Sequence, residues 1–456
     1  MNIYLFCILL ILVFSYLLDL SAALLNLRAM STELPAEFSD KYSEKDYARS
    51  QAFTREQTIF GLIRESVFLS ATLIFLLVGG FNRVDLMVRS FDYGPVLTGL
   101  LYIGIIMLFD ALLRLPFSCY RTFSLETRYG FNTSTVATFV ADIFKSLFLA
   151  ILLGGLFLAV VLFLFGHYGP SAWLPVWIII SLFLFIIQGI APILILPLFN
   201  RFTPLPPGEL YQAVSGYAQK QSFAIQGIYT MDGSRRSTRA NAFFTGFGRF
   251  RRIVFFDTLL KQLSTQEIVA VLAHEMGHYK LKHIPLGMVL SILHTGMMLF
   301  LLSLFMGNQA LFAAFSMQHL SVYGALIFFG FLYTPVSILL GILLQAISRR
   351  NEYQADRFAA ASGGDALALI SALKKLSTSN LTNLTPHALQ VILSYGHPPI
   401  LARIKALRQM EQKQNPGPCH DKTYRAERGL ADTACPGVHA YLPGTTAFFN
   451  HAATAS

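Results

Sequence analysis

The sequence predicts an α-helical polytopic membrane protein, with about seven transmembrane helices and a small α+β segment on the cytoplasmic side. Three observations carry that prediction. Charged residues are only 13% of the chain and hydrophobic ones 54%, where a soluble domain carries about twice the charge. Mean hydropathy is +0.54. Apolar runs of spanning length alternate with loops whose basic residues gather on one side.

The first run, about residues 3–26, has no basic leading region and exceeds the apolar stretch of a secretory signal, so it reads as an uncleaved span. Further spans are expected at about 59–80, 95–117, 143–166, 172–197, 285–307 and 320–347. The connections 167–171 and 308–319 hold no Lys or Arg, whereas 28–58, 114–145, 201–284 and the region after 348 hold many. Basic loops stay in the cytosol, which puts the N-terminus outside and the C-terminus inside. The same topology explains the net charge of +10, so no nucleic-acid partner is invoked. Asp19, Arg64, Glu65, Asp110, Arg114, Asp142, Lys145 and His294 fall within spans, where charge is costly. Either they pair, as Asp110 and Arg114 would at four residues apart, or they face a hydrated interior.

Between spans five and six lies a soluble segment, 201–284. It opens on a turn-rich exit and continues with a helix expected over Glu209–Gln221 and strands over Gly227–Met231 and Arg252–Phe256. The run from Asn241 to Phe247 between those strands has the aromatic alternation of a strand. At a sheet edge, Asn241, Ala242, Phe243 and Phe244 would bind an extended peptide main chain to main chain; the alternative is an inner strand.

Just beyond stands V-A-V-L-A-H-E-M-G-H-Y-K-L-K-H, Val269 to His283. On a helix, His274 and His278 share a face one turn apart, and Glu275 lies between them. That spacing suits two ligands of a tetrahedral zinc with a carboxylate beside an open water position. Ser264 and Glu267 form a capping-box pattern that starts the helix, and Pro285 marks a kink or restart after it. The bland alternative is an ordinary amphipathic helix with two histidines. Cys7, Cys119, Cys419 and Cys435 are scattered, which excludes a cysteine-rich metal site and makes a disulfide framework unexpected.

A catalytic zinc needs three protein ligands. Glu352, returned by spans six and seven, is the foremost candidate for the third, with Asp356 four residues on to accept a hydrogen bond from a ligating histidine. A new charged helix is expected to open at Ser348, and in the competing picture Glu352 only pairs with Arg349 at its surface. Helices are also expected over 365–376 and 400–412. The expected organisation is thus spans one to five (1–200), soluble segment (201–284), spans six and seven (285–347), a second soluble stretch (348–413) and a disordered tail (414–456). The sequons at Asn132, Asn380 and Asn383 fall on cytoplasmic segments and are expected to stay unmodified. No internal repeat is evident.

The chain closely resembles the CAAX prenyl protease 1 family of integral-membrane zinc metalloproteases. The stretches that carry the likeness are Tyr120-Arg-Thr-Phe-Ser-Leu-Glu-Thr-Arg-Tyr-Gly-Phe-Asn132, Pro197-Leu-Phe-Asn-Arg-Phe-Thr203, Met231-Asp-Gly-Ser-Arg-Arg-Ser237, Asn241 to Phe247, Arg252-Ile-Val-Phe-Phe-Asp-Thr-Leu259, the histidine helix, Asn351-Glu-Tyr-Gln-Ala-Asp356 and His397-Pro-Pro399. The resemblance implies seven spans around a hydrated chamber and one Zn²⁺ held by His274, His278 and Glu352. It implies Glu275 as general base, Asp356 supporting a ligand, and His397 near the metal as an oxyanion partner, with Arg403 supporting it or the substrate carboxylate. It further implies peptide substrates ending in prenyl-cysteine plus three residues, met at the lipid bilayer. The loop after span six is shorter than in larger eukaryotic members and no retrieval signal ends the tail. A bacterial inner membrane is therefore the expected location, with the active site on the cytoplasmic face and the endoplasmic reticulum as the alternative. Competing readings are a broad-specificity quality-control metalloprotease of membrane proteins and a non-enzymatic membrane scaffold.

Overall fold

In the computed structural model, which describes residues 2–245 and 251–414, the apolar runs are helical throughout, because a chain in lipid must satisfy its own amides. Helix α1 (Ile3–Ala29) starts at Asn2, whose side chain accepts from the Tyr4 and Leu5 amides. Helix α2 (Glu44–Leu77) starts at Ser43 and stops at Gly79, whose φ of +67° is open to glycine without strain. Then come α3 (Gly80–Arg89), α4 (Pro95–Tyr120), α5 (Val136–Leu149), α6 (Leu156–Tyr168), α7 (Trp173–Ile190) and α8 (Leu196–Phe199).

Six helices among the described residues are long and apolar enough to cross a membrane. One of them, Val136–Phe199, has 64 residues. Straight, it would measure about 96 Å, some three times the apolar thickness of a bilayer. It breaks at Gly169, at φ +57° before Pro170, and α6 and α7 pack against each other across the break. Two crossings result, and the total is seven.

The soluble segment holds β1 (Phe202–Pro204), α9 (Glu209–Lys220), β2 (Gly227–Met231), β3 (Ala242–Thr245), β4 (Arg252–Phe256), α10 (Asp257–Gln262) and α11 (Thr265–Lys280). Its sheet runs β1-β2-β4-β3, with β2 and β4 parallel and both outer pairs antiparallel. Strand β1 is not expected from the sequence, where this stretch reads as a turn-rich exit. Buried Ile228, Ile253, Phe255, Leu272, Met276, Leu369 and Ile404 form the core beneath it.

The chain then re-enters the membrane through α12 (His283–Phe305), passes α13 (Gln309–Ala314) and returns in α14 (Val322–Ala361). The expected restart after the histidine helix is real: Lys282 adopts φ +59° between α11 and α12. The expected restart at Ser348 is not. Helix α14 runs unbroken for 40 residues, about 60 Å, because nothing near 348 interrupts its hydrogen bonding. Helices α15 (Ala366–Ser379), α16 (Ala388–Ser394) and α17 (Ile400–Gln414) follow.

Several charges within spans are paired. Arg114 meets Asp110 at 2.7 Å, Arg64 meets Glu65 at 2.7 Å, and Arg236 of the soluble segment grips Asp142 at 2.7 and 2.9 Å. Cys7 and Cys119 are free. The end of the Asn241–Phe247 run, the expected tail, Cys419 and Cys435 lie outside the described residues.

Candidate metal centre

The Ser264–Glu267 capping box forms in both directions and fixes the start of α11. Glu267 also accepts from Ser371 and Lys375 of α15, both at 2.7 Å, which ties that end of α11 to its neighbour. Burial by itself would raise the Glu267 pKa, but Lys375, the Ser264 amide and Ser371 together hold it below the ordinary value.

One helical turn apart, the His274 and His278 Nε2 atoms come within 3.2 Å. Gly277 faces α14. A Cβ there would stand 2.9 Å from Ala355 Cα and 3.1 Å from Ala355 O, so its hydrogen is what permits the two backbones to approach. One turn earlier on α14, Glu352 consequently reaches both imidazoles. Its Oε2 lies 3.4 Å from His274 Nε2, and its Oε1 lies 3.3 Å from His278 Nε2.

A tetrahedral zinc with ligands at about 2.0–2.1 Å separates its donor atoms by about 3.3–3.4 Å. The two imidazole nitrogens, 3.2 Å apart, and the carboxylate oxygen nearest each of them, Oε2 for His274 at 3.4 Å and Oε1 for His278 at 3.3 Å, stand close to that figure. Glu352 Oε2 is buried without a well-aligned hydrogen bond. His397 Nδ1 at 2.9 Å and Arg403 Nη1 at 3.3 Å nevertheless crowd it. Donor types, spacing and orphaned oxygen all fit zinc.

The surrounding groups set the tautomers. Asp356 is fully buried, and its Oδ1 lies 2.8 Å from His274 Nδ1, leaving Nε2 for the cluster. Burial penalises the His274 cation, yet the Asp356 and Glu352 carboxylates keep its pKa up at about 9. On the other side, His283 donates Nε2–H to Gln354 Oε1 at 2.9 Å. Its free Nδ1 then accepts from His278 Nδ1–H at 3.1 Å, and His278 Nε2 is left for the cluster. The sequence reading missed His283 and Gln354. His283 closes the very stretch that drew attention, but its partner arrives only through the packing of α12 on α14.

Arg403 is buried. Its Nε and Nη2 donate to Asp356 at 2.9 and 2.7 Å, and burial, which opposes its cation, is outweighed by that carboxylate. All three nitrogens therefore face groups of the site. Arg349 donates to the Val391 and Tyr395 carbonyls, not to Glu352. Glu275 is partly buried, and desolvation raises its carboxyl pKa above the ordinary range. The His397 side chain is 72% exposed. Among the described residues, strand β3 is an edge strand packed against α11, and Asn241 O accepts from Phe256 N–H at its start. Ala242, Phe243 and Phe244 lie in β3, with Phe244 tilted against Phe223 and Phe243 edge-on to Phe256.

Two family profiles divide the chain between them: one described as CAAX prenyl protease N-terminal, five membrane helices, over residues 23–201, and peptidase family M48 over 204–411. The CAAX prenyl protease 1 homolog of Arabidopsis thaliana is 32% identical over 83% of this chain and 91% of its own length. The chain belongs to the CAAX prenyl protease 1 family. Saccharomyces cerevisiae CAAX prenyl protease 1 is likewise 32% identical, over 84% of this chain and 90% of its own. The crystal structure of S. mikatae Ste24p superposes with a TM-score of 0.85 at 29% identity, covering 89% of this chain and 99% of that one. As a member of this family, the protein is an integral, multi-pass membrane metalloendopeptidase. Its cofactor is zinc, and the His274–His278–Glu352 cluster is able to hold one ion.

Proposed function

We propose that this CAAX-type protease hydrolyses the peptide bond after a C-terminal prenyl-cysteine and releases the last three residues. The observation that supports this reading most is that α14 runs without a break from a span to Glu352, so one helix joins the membrane to the metal cluster. His274, His278 and Glu352 are the proposed ligands. Zinc held by them supplies Lewis acidity toward the scissile carbonyl and lowers the pKa of water. Glu275, with its raised pKa, takes the proton of the attacking water and returns it to the leaving amine. Asp356 orients His274, Arg403 holds Asp356, and exposed His397 donates to the developing oxyanion. Asn241, Ala242, Phe243 and Phe244 offer the open edge of β3 to the extended substrate.

We also propose that the site lies on the cytoplasmic face of a bacterial inner membrane, supported by loops 167–171 and 308–319, which lack Lys and Arg. Reporter fusions in those loops test the sidedness.

Purified protein incubated with farnesylated and unprenylated forms of one peptide, with and without a zinc chelator, decides the substrate. The expected result is chelator-sensitive loss of a tripeptide from the farnesylated form. Equal cleavage of both forms, or preference for an unfolded membrane protein, replaces this reading with quality-control proteolysis.

A further inference from the structure

Resting on that reading of a C-terminal tripeptide, we propose that Arg239 and the cavity it lines form the subsite for the free C-terminal carboxylate of the peptide. The cavity measures about 620 Å³, within the range of small-ligand sites. Its wall takes in Arg239, three residues ahead of β3, and Ser394 and Tyr395, just ahead of His397. Strand β3 packs on α11, and His397 reaches Glu352, so both segments that close on the metal cluster continue into this wall.

A free carboxylate calls for a cation that the fold has left uncommitted. Arg403 is taken by Asp356 and Glu352. The Arg239 guanidinium instead lies over the Phe131 ring at 4.5 Å and near Phe53 at 5.9 Å. Its Nε is buried without a hydrogen-bond partner. Among the described residues, the carboxylate paired with it is Glu126, at a long 3.8 Å. Burial lowers its pKa, as expected of a cation short of counter-charge. Its backbone is fixed: Thr258 Oγ1 donates to Arg239 O at 2.8 Å, and the Arg239 amide donates to Ser237 Oγ at 3.2 Å.

Strand polarity points the same way. Antiparallel pairs outnumber parallel ones about two- to three-fold. A peptide added antiparallel to β3 directs its C-terminus toward Asn241, and so toward Arg239. Asp19 and Glu65, the latter held by Arg64, line the same cavity.

The test uses the full chain in lipid nanodiscs and one farnesylated peptide prepared as C-terminal acid and as C-terminal amide. Wild type is expected to prefer the acid in kcat/KM by roughly 10- to 100-fold, the range of a charge-assisted pair. Arg239→Gln brings that ratio close to one, chiefly through KM of the acid and with zinc content unchanged, while Arg239→Lys keeps part of it. An acid preference that survives in Arg239→Gln, or is absent from wild type, overturns the assignment. A second arm titrates the free tripeptide, acid and amide, into Glu275→Gln protein. Tighter binding of the acid that disappears in Glu275→Gln/Arg239→Gln supports the subsite even if wild type proves to cleave no prenylated peptide, an outcome that sinks only the proposed substrate. Equal binding of acid and amide counts against the subsite whatever the enzyme cleaves.

Discussion

Replacing Gly277 with alanine tests whether helix approach builds the metal cluster. The new Cβ would sit 2.9 Å from Ala355 Cα, 3.1 Å from Ala355 O and 3.2 Å from Phe358 Cβ. Carbon atoms pack comfortably at about 3.5–4.0 Å, so α14 must withdraw by roughly 0.6–1 Å. Glu352 lies three residues before Ala355 and withdraws with it. Its separations of 3.3 and 3.4 Å from the imidazole nitrogens then open toward about 4 Å, whereas metal–ligand distances tolerate only about 0.2 Å. Overpacking of this kind costs about 1–3 kcal/mol, equivalent to roughly 5- to 150-fold weaker zinc binding. Alanine's better helix propensity returns up to about 1 kcal/mol to overall stability, so a melting temperature is a poor readout. Competition against a chromophoric zinc chelator is the direct one. Gly287→Ala on α12, whose Cβ meets nothing within 4 Å, serves as control. If Gly277→Ala binds zinc as wild type does and keeps full peptidase activity, the close approach is not what assembles the cluster.

Glu275→Gln should keep its zinc and lose about 10²- to 10⁴-fold in turnover, and normal turnover would remove Glu275 as the base. Glu352→Ala should lower zinc content by metal analysis, and full occupancy would strike it from the ligand set. His283→Ala should weaken zinc about 10- to 100-fold with the fold intact by circular dichroism; unchanged affinity would show that His278 does not depend on the relay. Glu267, whose pKa is depressed in the folded state, contributes stability that is present above its unfolded pKa and lost as pH falls through the folded one. The gap in thermal stability between wild type and Glu267→Gln should therefore close on acidification, and a gap constant with pH would contradict the assignment.

Local signals in the sequence translated faithfully. The Ser264–Glu267 capping box and the four-residue spacing of the histidines need only one helix to be legible, and both stand as read. Glu352 and Asp356 were visible as a pair on one face, though only tertiary packing shows that they meet opposite nitrogens of His274. The charged run after Ser348 misled because charge resembles a helix start, while backbone hydrogen bonding passes through it without a break. Strand β1 was hidden by prolines that an outer strand accommodates. The roles of His283, Gln354 and Arg403 depend on partners 47 to 129 residues distant, a range at which periodicity carries no information.

In the proposed mechanism, the continuity of α14 from a span to Glu352 makes the bilayer part of the catalytic apparatus. From Pro335 to Glu352 is 17 residues, about 25 Å of rigid lever. A swing of only ten degrees at that proline would carry the carboxylate sideways by roughly 4 Å, about twice a zinc–oxygen ligand distance. Acyl-chain length, lateral pressure and detergent shape all act on such a lever at its fulcrum. Zinc retention measured across nanodiscs of graded thickness thus gauges mechanical strain in the lipid as much as ligand chemistry in the protein.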